Sequence, residues 1–274
     1  MIKLIVSDMD GTLLNDNHEL HPNFWKIEEE LHTRGILFAI ASGRQYYNLE
    51  TKFERLKGRM LFFAENGTIV MHKGEELYVN TLDRKAAHNF IDKGRSIDGV
   101  KIVLCGKNCA YVENKDEKFI SEIKQYYERL EFIQDLKKVE DDILKITICD
   151  WNGVEDNSYH SFKEYRNGYK VAIAAKIFLD ITSKTANKGN AIKEVQRSMG
   201  ISPEETLVFG DYLNDLEMMQ NTPHSYAMKN AHPEIIKISK YTTQWDNNEN
   251  GVLRTIQALC FEKVEIKSAP FEMQ

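Results

Sequence analysis

The amino-acid sequence predicts an α/β fold, a parallel-sheet core interrupted by an inserted α+β domain, and three observations predict it. Short apolar, β-branched runs alternate with amphipathic helical stretches near both ends of the chain, the rhythm of strand–helix–strand units with right-handed crossovers. Between about residues 83 and 182 that rhythm gives way to neighbouring strands joined by short turns. Each core run also stops abruptly at a small polar or acidic cluster, and in parallel sheets ligands bind beyond the carboxyl ends of the strands.

In order, Ile2, Leu4, Ile5 and Val6 form a short buried run that stops at Ser7, and Asp8, Met9, Asp10, Gly11 and Thr12 follow at once. Asn23 to Thr33 has apolar Phe24, Ile27 and Leu31 near helical spacing and closes at Gly35. Ile36 to Ala41 is a second strand, buried on both faces and ending in Ser42-Gly43-Arg44. After a helical stretch, Met60 to Ala64 is a third, leading to Glu65-Asn66-Gly67. The insertion carries a helix over Arg84 to Ser96, strands Lys101 to Cys105 and Ala110 to Glu113, and a helix over Asp116 to Leu130. A strand Leu144 to Cys149, a polar helix near Val154 to Arg166, and a hairpin of Tyr169 to Ala174 with Phe178 to Ile181 complete it. The expected architecture is an antiparallel sheet with helices on one face. The core then resumes with a helix opened by Lys188-Gly189 and ended by Gly200. Strand Thr206 to Phe209 runs straight into Gly210-Asp211-Tyr212-Leu213-Asn214-Asp215, and a helix over Leu216 to Gln220 follows. Ser225 to Met228 is one more strand and Val252 to Leu259 a terminal helix; the polar tail after Cys260 is expected to be poorly ordered. The division is thus residues 1–82 and 183–274 for the core and 83–182 for the insertion.

Composition excludes several classes of function. With 274 residues, 42% hydrophobic and 28% charged, the chain has the make-up of an ordinary globular protein with a sizeable core. A net charge of -6 argues against a general nucleic-acid backbone binder while leaving room for a local pocket for one small anion. Four scattered cysteines form no CxxC pair and there is no histidine cluster at zinc spacing, so buried free thiols are expected. No window approaches the ~20 apolar residues of a membrane span, and the expected location is the cytoplasm, with no membrane partner.

The chemistry lies in four strand or helix ends. Asp8 and Asp10, one residue apart at the end of a buried strand, raise one another's pKa unless a cation lies beside them. Read alone, the segment could be an acidic loop, or a calcium loop with Asp8, Asp10, Thr12 and Glu19 at the first, third, fifth and twelfth positions. The calcium loop needs a glycine where Leu13 stands and a helix where a strand stands. Ser42, Lys188 at a helix start, and Asp211, Asn214 and Asp215 each have an ordinary turn or capping explanation. Together, at one edge of one sheet, mutually repelling acids, a lone lysine and hydroxyls describe a site for Mg²⁺ and a phosphoryl group.

With DMDGT, the Ser42 strand end, Lys188 and GDYLND in that order, the chain resembles the haloacid dehalogenase (HAD) superfamily, in particular its Cof-type phosphatases with a type IIB cap. The resemblance spans nearly the whole chain; Glu65 before Asn-Gly and the WDNNENGV stretch near Trp245 depart from the usual pattern. It implies a Rossmann-like core, a cap formed by the insertion, and hydrolysis of a small phosphorylated metabolite. Asp8 would attack phosphorus to give an aspartyl phosphate, and Asp10 would protonate the leaving alkoxide and then activate water. Asp8, Asp211 and the backbone carbonyl of Asp10 would hold Mg²⁺, with Asp215 and Asn214 orienting the site. Thr12, Ser42, Gly43, Lys188 and Asn214 would hold phosphoryl oxygens. A phosphomutase of the same superfamily, or a receiver-like module phosphorylated on Asp8, is the alternative; the receiver calls for neither a cap nor Asp10. Arg44, Glu65, Tyr111, Lys145 and Lys176 could reach a substrate, but each is more often a surface or packing residue, and they are not counted as sites. Substrate identity and oligomeric state are not legible.

Overall fold

The computed structural model describes residues 1–261, so the tail expected after Cys260 lies, apart from Phe261, outside the described residues. Strand β1 (Leu4–Asp8) and β2 (Leu37–Ala41) flank helix α1 (Phe24–Thr33), and α2 (Tyr46–Lys52) leads to β3 (Leu61–Ala64). A hairpin not foreseen from the sequence follows, β4 (Ile69–His72) and β5 (Glu75–Val79). Its first strand is short and its second, with two glutamates, is largely exposed, so neither shows a clear apolar alternation. Then come α3 (Arg84–Arg95), β6 (Val100–Gly106), β7 (Ala110–Val112), α4 (Glu117–Ile123), β8 (Leu130–Phe132), β9 (Ile143–Asp150), α5 (Ser158–Ser161), β10 (Tyr169–Ala175) and β11 (Phe178–Ser183). The described residues continue with α6 (Lys188–Met199), β12 (Thr206–Gly210), α7 (Leu216–Met219), β13 (His224–Ala227), α8 (Pro233–Ile238), β14 (Tyr241–Thr242) and α9 (Gly251–Ile256).

Two sheets result. The first has eight strands in the order β14-β13-β12-β1-β2-β3-β4-β5. It is parallel from β14 to β3 and antiparallel across the β3–β4–β5 edge. Strand β1 is central: Val6 pairs with Ala39 on one side and Val208 on the other, so both of its faces are covered and its run is continuously apolar. The carboxyl ends of β12, β1, β2 and β3 therefore share one edge.

The second sheet runs β10-β11-β9-β6-β7-β8. It is antiparallel except for the β7–β8 pair, which is parallel, and so differs from the fully antiparallel sheet expected. Helices lie on both of its faces, also against expectation. Ile102 and Leu104 of β6 pack with Ala87, Phe90 and Ile91 of α3, while Val103 and Cys105, pointing the other way along the same strand, pack with Phe119 and Ile123 of α4.

Two helices are shorter than the sequence suggests. Helix α4 is capped by Asp116, whose carboxylate accepts from the Phe119 N–H at 2.9 Å. The chain beyond it turns inward to bury Tyr127, whose hydroxyl lies 3.3 Å from Thr147 Oγ1, and Leu130–Phe132 becomes a strand. In the Val154 to Arg166 stretch only Ser158–Ser161 is α-helical. The Asp150 carboxylate accepts from the N–H groups of Asn152 (3.0 Å) and Ser158 (3.0 Å), tying residues 151–157 into turns. All four cysteines are free thiols, three buried and Cys260 half-buried. Among the described residues no helix is long and apolar enough to cross a membrane.

Candidate active site

Strand β1 delivers Asp8 to the sheet edge, and the backbone then turns away at Asp10 (φ -82°, ψ 121°) and Gly11 (φ 79°). Glycine is required at position 11 on two counts: the left-handed φ, and a Cβ there would lie inside the Asp211 carboxylate. The turn carries Thr12 inward, where its hydroxyl donates to Asp211 Oδ1 at 2.8 Å. A calcium loop is ruled out by the strand that precedes Asp8.

Helix α6 supplies the cation. Asn187 caps it, accepting from the Asn190 N–H at 2.7 Å. Lys188, next in line, is completely buried. Its Nζ donates to Asp8 Oδ1 and, at 2.6 Å, to Asp215 Oδ1. The second oxygen of Asp215 accepts from the N–H groups of Asp211 (2.9 Å) and Tyr212 (3.2 Å), so one end of that carboxylate holds Lys188 and the other shapes the loop after β12.

Asp8, Asp211 and Asp215 each place a carboxylate oxygen within 4.8 Å of the others. Burial pushes the Asp8 carboxyl well above the usual range, opposed by Lys188 and reinforced by Asp215 and Asp211. Burial, then the neighbouring Asp215, lifts Asp211 to about 6, against the Thr12 hydrogen bond. Burial alone would depress Lys188, but the two carboxylates that grip it outweigh burial and hold it firmly protonated. Once ionised, three acids against one ammonium carry an excess of negative charge in a largely buried site. That donor set, all oxygen with hard carboxylates, fits a divalent cation such as Mg²⁺.

Ser42 and Gly43 sit at the end of β2. The Ser42 N–H donates to the Phe63 carbonyl at 2.9 Å, and the buried hydroxyl accepts the Arg44 N–H at 3.2 Å. Asn214 reaches across from the β12 loop and donates to Asn66 Oδ1 at 3.1 Å, beside Gly43. The structure thus brings Asp8, Thr12, Lys188, Asp211 and Asp215 together in one cluster and sets Ser42, Gly43 and Asn214 along the same edge. Asp10 stands apart. Its carboxylate is clamped bidentately by Arg44, Nε to Oδ2 at 3.0 Å and Nη2 to Oδ1 at 2.6 Å, with His18 Nδ1 3.2 Å from Oδ1.

Arg44 was read as part of a turn and as a residue that could reach a substrate, not as a partner of Asp10, and Asn66 was not singled out at all. The available signal for Asn66 was an Asn-Gly pair straight after a buried strand, where left-handed backbone is the usual reason for both residues; Asn66 has φ 57°.

A buried carboxylate paired with a buried lysine beside a cation-ready acidic cluster, at the carboxyl edge of a parallel sheet, is the arrangement of a phosphoryl-transfer hydrolase of the α/β class. Residues 5–256 match the haloacid dehalogenase-like hydrolase family. The chain is 31% identical over 274 residues to the Escherichia coli 5-amino-6-(5-phospho-D-ribitylamino)uracil phosphatase YbjI, covering 99% of each. It also superposes on the crystal structure of TM0651 from Thermotoga maritima with a TM-score of 0.83, 25% identity, and 96% and 99% of the two chains covered. The HAD subclass IIB sugar phosphatase BT4131 shares the fold, with a TM-score of 0.77, 20% identity and 93% and 98% coverage. The chain belongs to the haloacid dehalogenase superfamily, among its Cof-type phosphatases. It is a phosphatase acting on phosphorylated substrates, in a family whose members use a divalent metal.

Proposed function

We propose that this phosphatase is Mg²⁺-dependent and hydrolyses small phosphomonoesters, sugar phosphates or similar metabolites, through an aspartyl phosphate on Asp8. The observation that carries the reading is the convergence of Lys188, Asp8 and Asp215 in one buried, hydrogen-bonded set with Asp211 alongside. Asp8, Asp211 and the Asp10 main-chain carbonyl would hold Mg²⁺, which when bound supplies positive charge against the phosphoryl oxygens. Lys188 opposes the effect of burial on Asp8, and its ammonium, with the bound metal, would favour the ionised carboxylate that acts as the nucleophile. A bond forms from an Asp8 oxygen to phosphorus as the ester P–O bond breaks, and Asp10 gives its proton to the departing alkoxide. Asp10 then takes a proton from the water that attacks the aspartyl phosphate, and inorganic phosphate leaves. A carboxylate clamped by a guanidinium is poorly placed to do this, so Asp10 must turn away from Arg44 first. Ser42, Gly43, Asn214 and the Thr12 N–H hold phosphoryl oxygens, and Asp215 fixes the loop that presents Asp211.

Residues 1–82 and 183–274 act as the catalytic core and 83–182 as a cap that covers the substrate and excludes water. The test is phosphate release over a panel of esters with Asp8→Asn as the blank and chelation as the metal control. The compound in the E. coli relative's name belongs in that panel, beside sugar phosphates, nucleotides, pyridoxal phosphate and flavin mononucleotide. Metal-dependent phosphate release lost in Asp8→Asn is expected. Activity surviving chelation, or an isomerised ester in place of free phosphate, contradicts the proposal.

A further inference from the structure

Immediately after β3 three consecutive residues hold left-handed backbone: Glu65 (φ 49°), Asn66 (φ 57°) and Gly67 (φ 85°). Only glycine does this without cost, and strain of this kind persists where the surroundings over-determine it, most often at functional sites. The surroundings here are the site itself. The Glu65 N–H donates to the Arg44 carbonyl at 3.0 Å and the Asn66 N–H to the Ser42 carbonyl at 2.9 Å. A Cβ on Gly67 would lie 2.7 Å from the Asn187 carbonyl oxygen, so the turn is pressed against the residue that caps α6 before Lys188. Asn66 Oδ1 accepts from Asn214 at 3.1 Å.

The other end of the turn belongs to the inserted sheet. Glu65 Oε2 lies 2.7 Å from Nζ of Lys145 on β9, an ion pair set off the line of a well-directed hydrogen bond. Lys145 Nζ also donates to Asp180 Oδ2 of β11 at 3.1 Å, and Thr147 donates to Asp180 Oδ1 at 2.7 Å. The Lys145 and Glu65 side chains are 5% and 2% exposed. Such a pair is poor value as stability alone, since charges taken out of water lose hydration that their attraction only partly returns. Its geometry is better explained as register between two bodies. The insertion also meets the core through Gln45 with Arg129, Lys107 with Glu76 and Lys170 with Glu217; Glu65 and Lys145 are the buried contact that lies one residue from the partner of Asn214.

We propose that Glu65 and Lys145 are positioning residues: the cap, through Lys145, sets the left-handed 65–67 turn, and the turn through Asn66 sets Asn214. This deepens the phosphatase reading and rests on it for the role of Asn214. Seating of the cap is thereby sensed at the phosphate-binding edge by a contiguous chain of contacts, Lys145 to Glu65 to Asn66 to Asn214. No part of that chain requires Lys145 to touch substrate.

The test is a double-mutant cycle on phosphate release in the full-length enzyme with a substrate that wild type turns over. Lys145→Met is expected to lower kcat by ~10- to 100-fold, the scale of a small misplacement in a catalytic site, with KM nearly unchanged. Lys145→Arg should recover most of the loss. Asn66→Gly, which keeps the left-handed turn and removes the amide, should show the same kcat defect, and the double variant should be no worse than the more damaged single. Losses that multiply, or a Lys145 effect confined to KM, overturn the proposal. Because Lys145→Met leaves Glu65 and Asp180 facing one another, Glu65→Gln/Lys145→Met is the folded control, expected to keep the kcat defect. A readout independent of turnover is the Asn214 side-chain amide resonance, which should shift in Lys145→Met; an unmoved resonance also overturns the proposal. Failure of the phosphatase reading looks different, since the wild-type enzyme would then release no phosphate from any ester.

Discussion

Replacing Lys188 by Met tests the electrostatics of the site without opening a large cavity, because the two side chains have similar length and Lys188 is wholly buried. Met leaves Asp8, Asp211 and Asp215 with carboxylate oxygens within 4.8 Å of one another and no ammonium between them. Two unit charges at that spacing repel by about 3.5 kcal/mol at an effective dielectric constant of ~20. Removing one partner of a buried pair typically costs ~3–5 kcal/mol, so the two approaches agree. Without added metal, Lys188→Met should therefore lose about 3–5 kcal/mol of unfolding free energy at neutral pH, a large share of the ~5–15 kcal/mol of a typical domain. The loss should shrink toward pH ~5 as protons neutralise the acids, and Mg²⁺ should restore part of it. Urea unfolding followed by circular dichroism, at both pH values with and without Mg²⁺, measures all three. A neutral-pH loss below ~1 kcal/mol, or the same loss at acid pH, would refute the reasoning.

The metal-free wild-type protein should itself lose stability as pH rises. Asp8 is raised by burial and Asp211 is lifted to about 6, chiefly by burial, so the folded chain keeps protons that the unfolded chain has released. Stability then falls between the ordinary carboxylate range of about 4 and pH ~6, and further as Asp8 ionises. Excess Mg²⁺ should flatten the profile, and thermal melts across pH check it. Asp10→Asn should slow turnover by ~10²–10⁴-fold on an alkyl phosphate. On p-nitrophenyl phosphate, whose leaving group needs no proton, the same variant should show a burst of nitrophenolate followed by slow hydrolysis in stopped-flow traces. Gly67→Ala forces a side chain into left-handed backbone and against the Asn187 carbonyl. It should cost ~1–3 kcal/mol in a denaturant melt and reduce kcat by displacing the cap of α6.

The core of the fold was readable because β1, β2, β3 and β12 are buried on both faces and write themselves as unbroken apolar runs. The acids and the lysine were readable because each stands where such a run or helix begins or ends. The β4–β5 hairpin was not, since an exposed edge strand such as Glu75–Val79 carries no strong period. Helix α4 was read too long because helical spacing continues past Ile123, while burial of Tyr127 against Thr147 decides the matter through a partner distant in sequence. The same limit hid the clamp of Arg44 on Asp10 and the bond of Asn66 to Asn214. Both depend on loops meeting at a sheet edge, and neither spacing nor composition encodes that meeting.

The proposed function requires Asp8 to be the group that receives phosphorus. The most direct measurement is to quench the enzyme in acid during steady turnover of its best ester and locate the phosphate by peptide mass spectrometry. The expected result is a phosphorylated Asp8 that is absent from Asp8→Asn and that accumulates in Asp10→Asn. Phosphate on any other residue, or labelling that persists in Asp8→Asn, would contradict it.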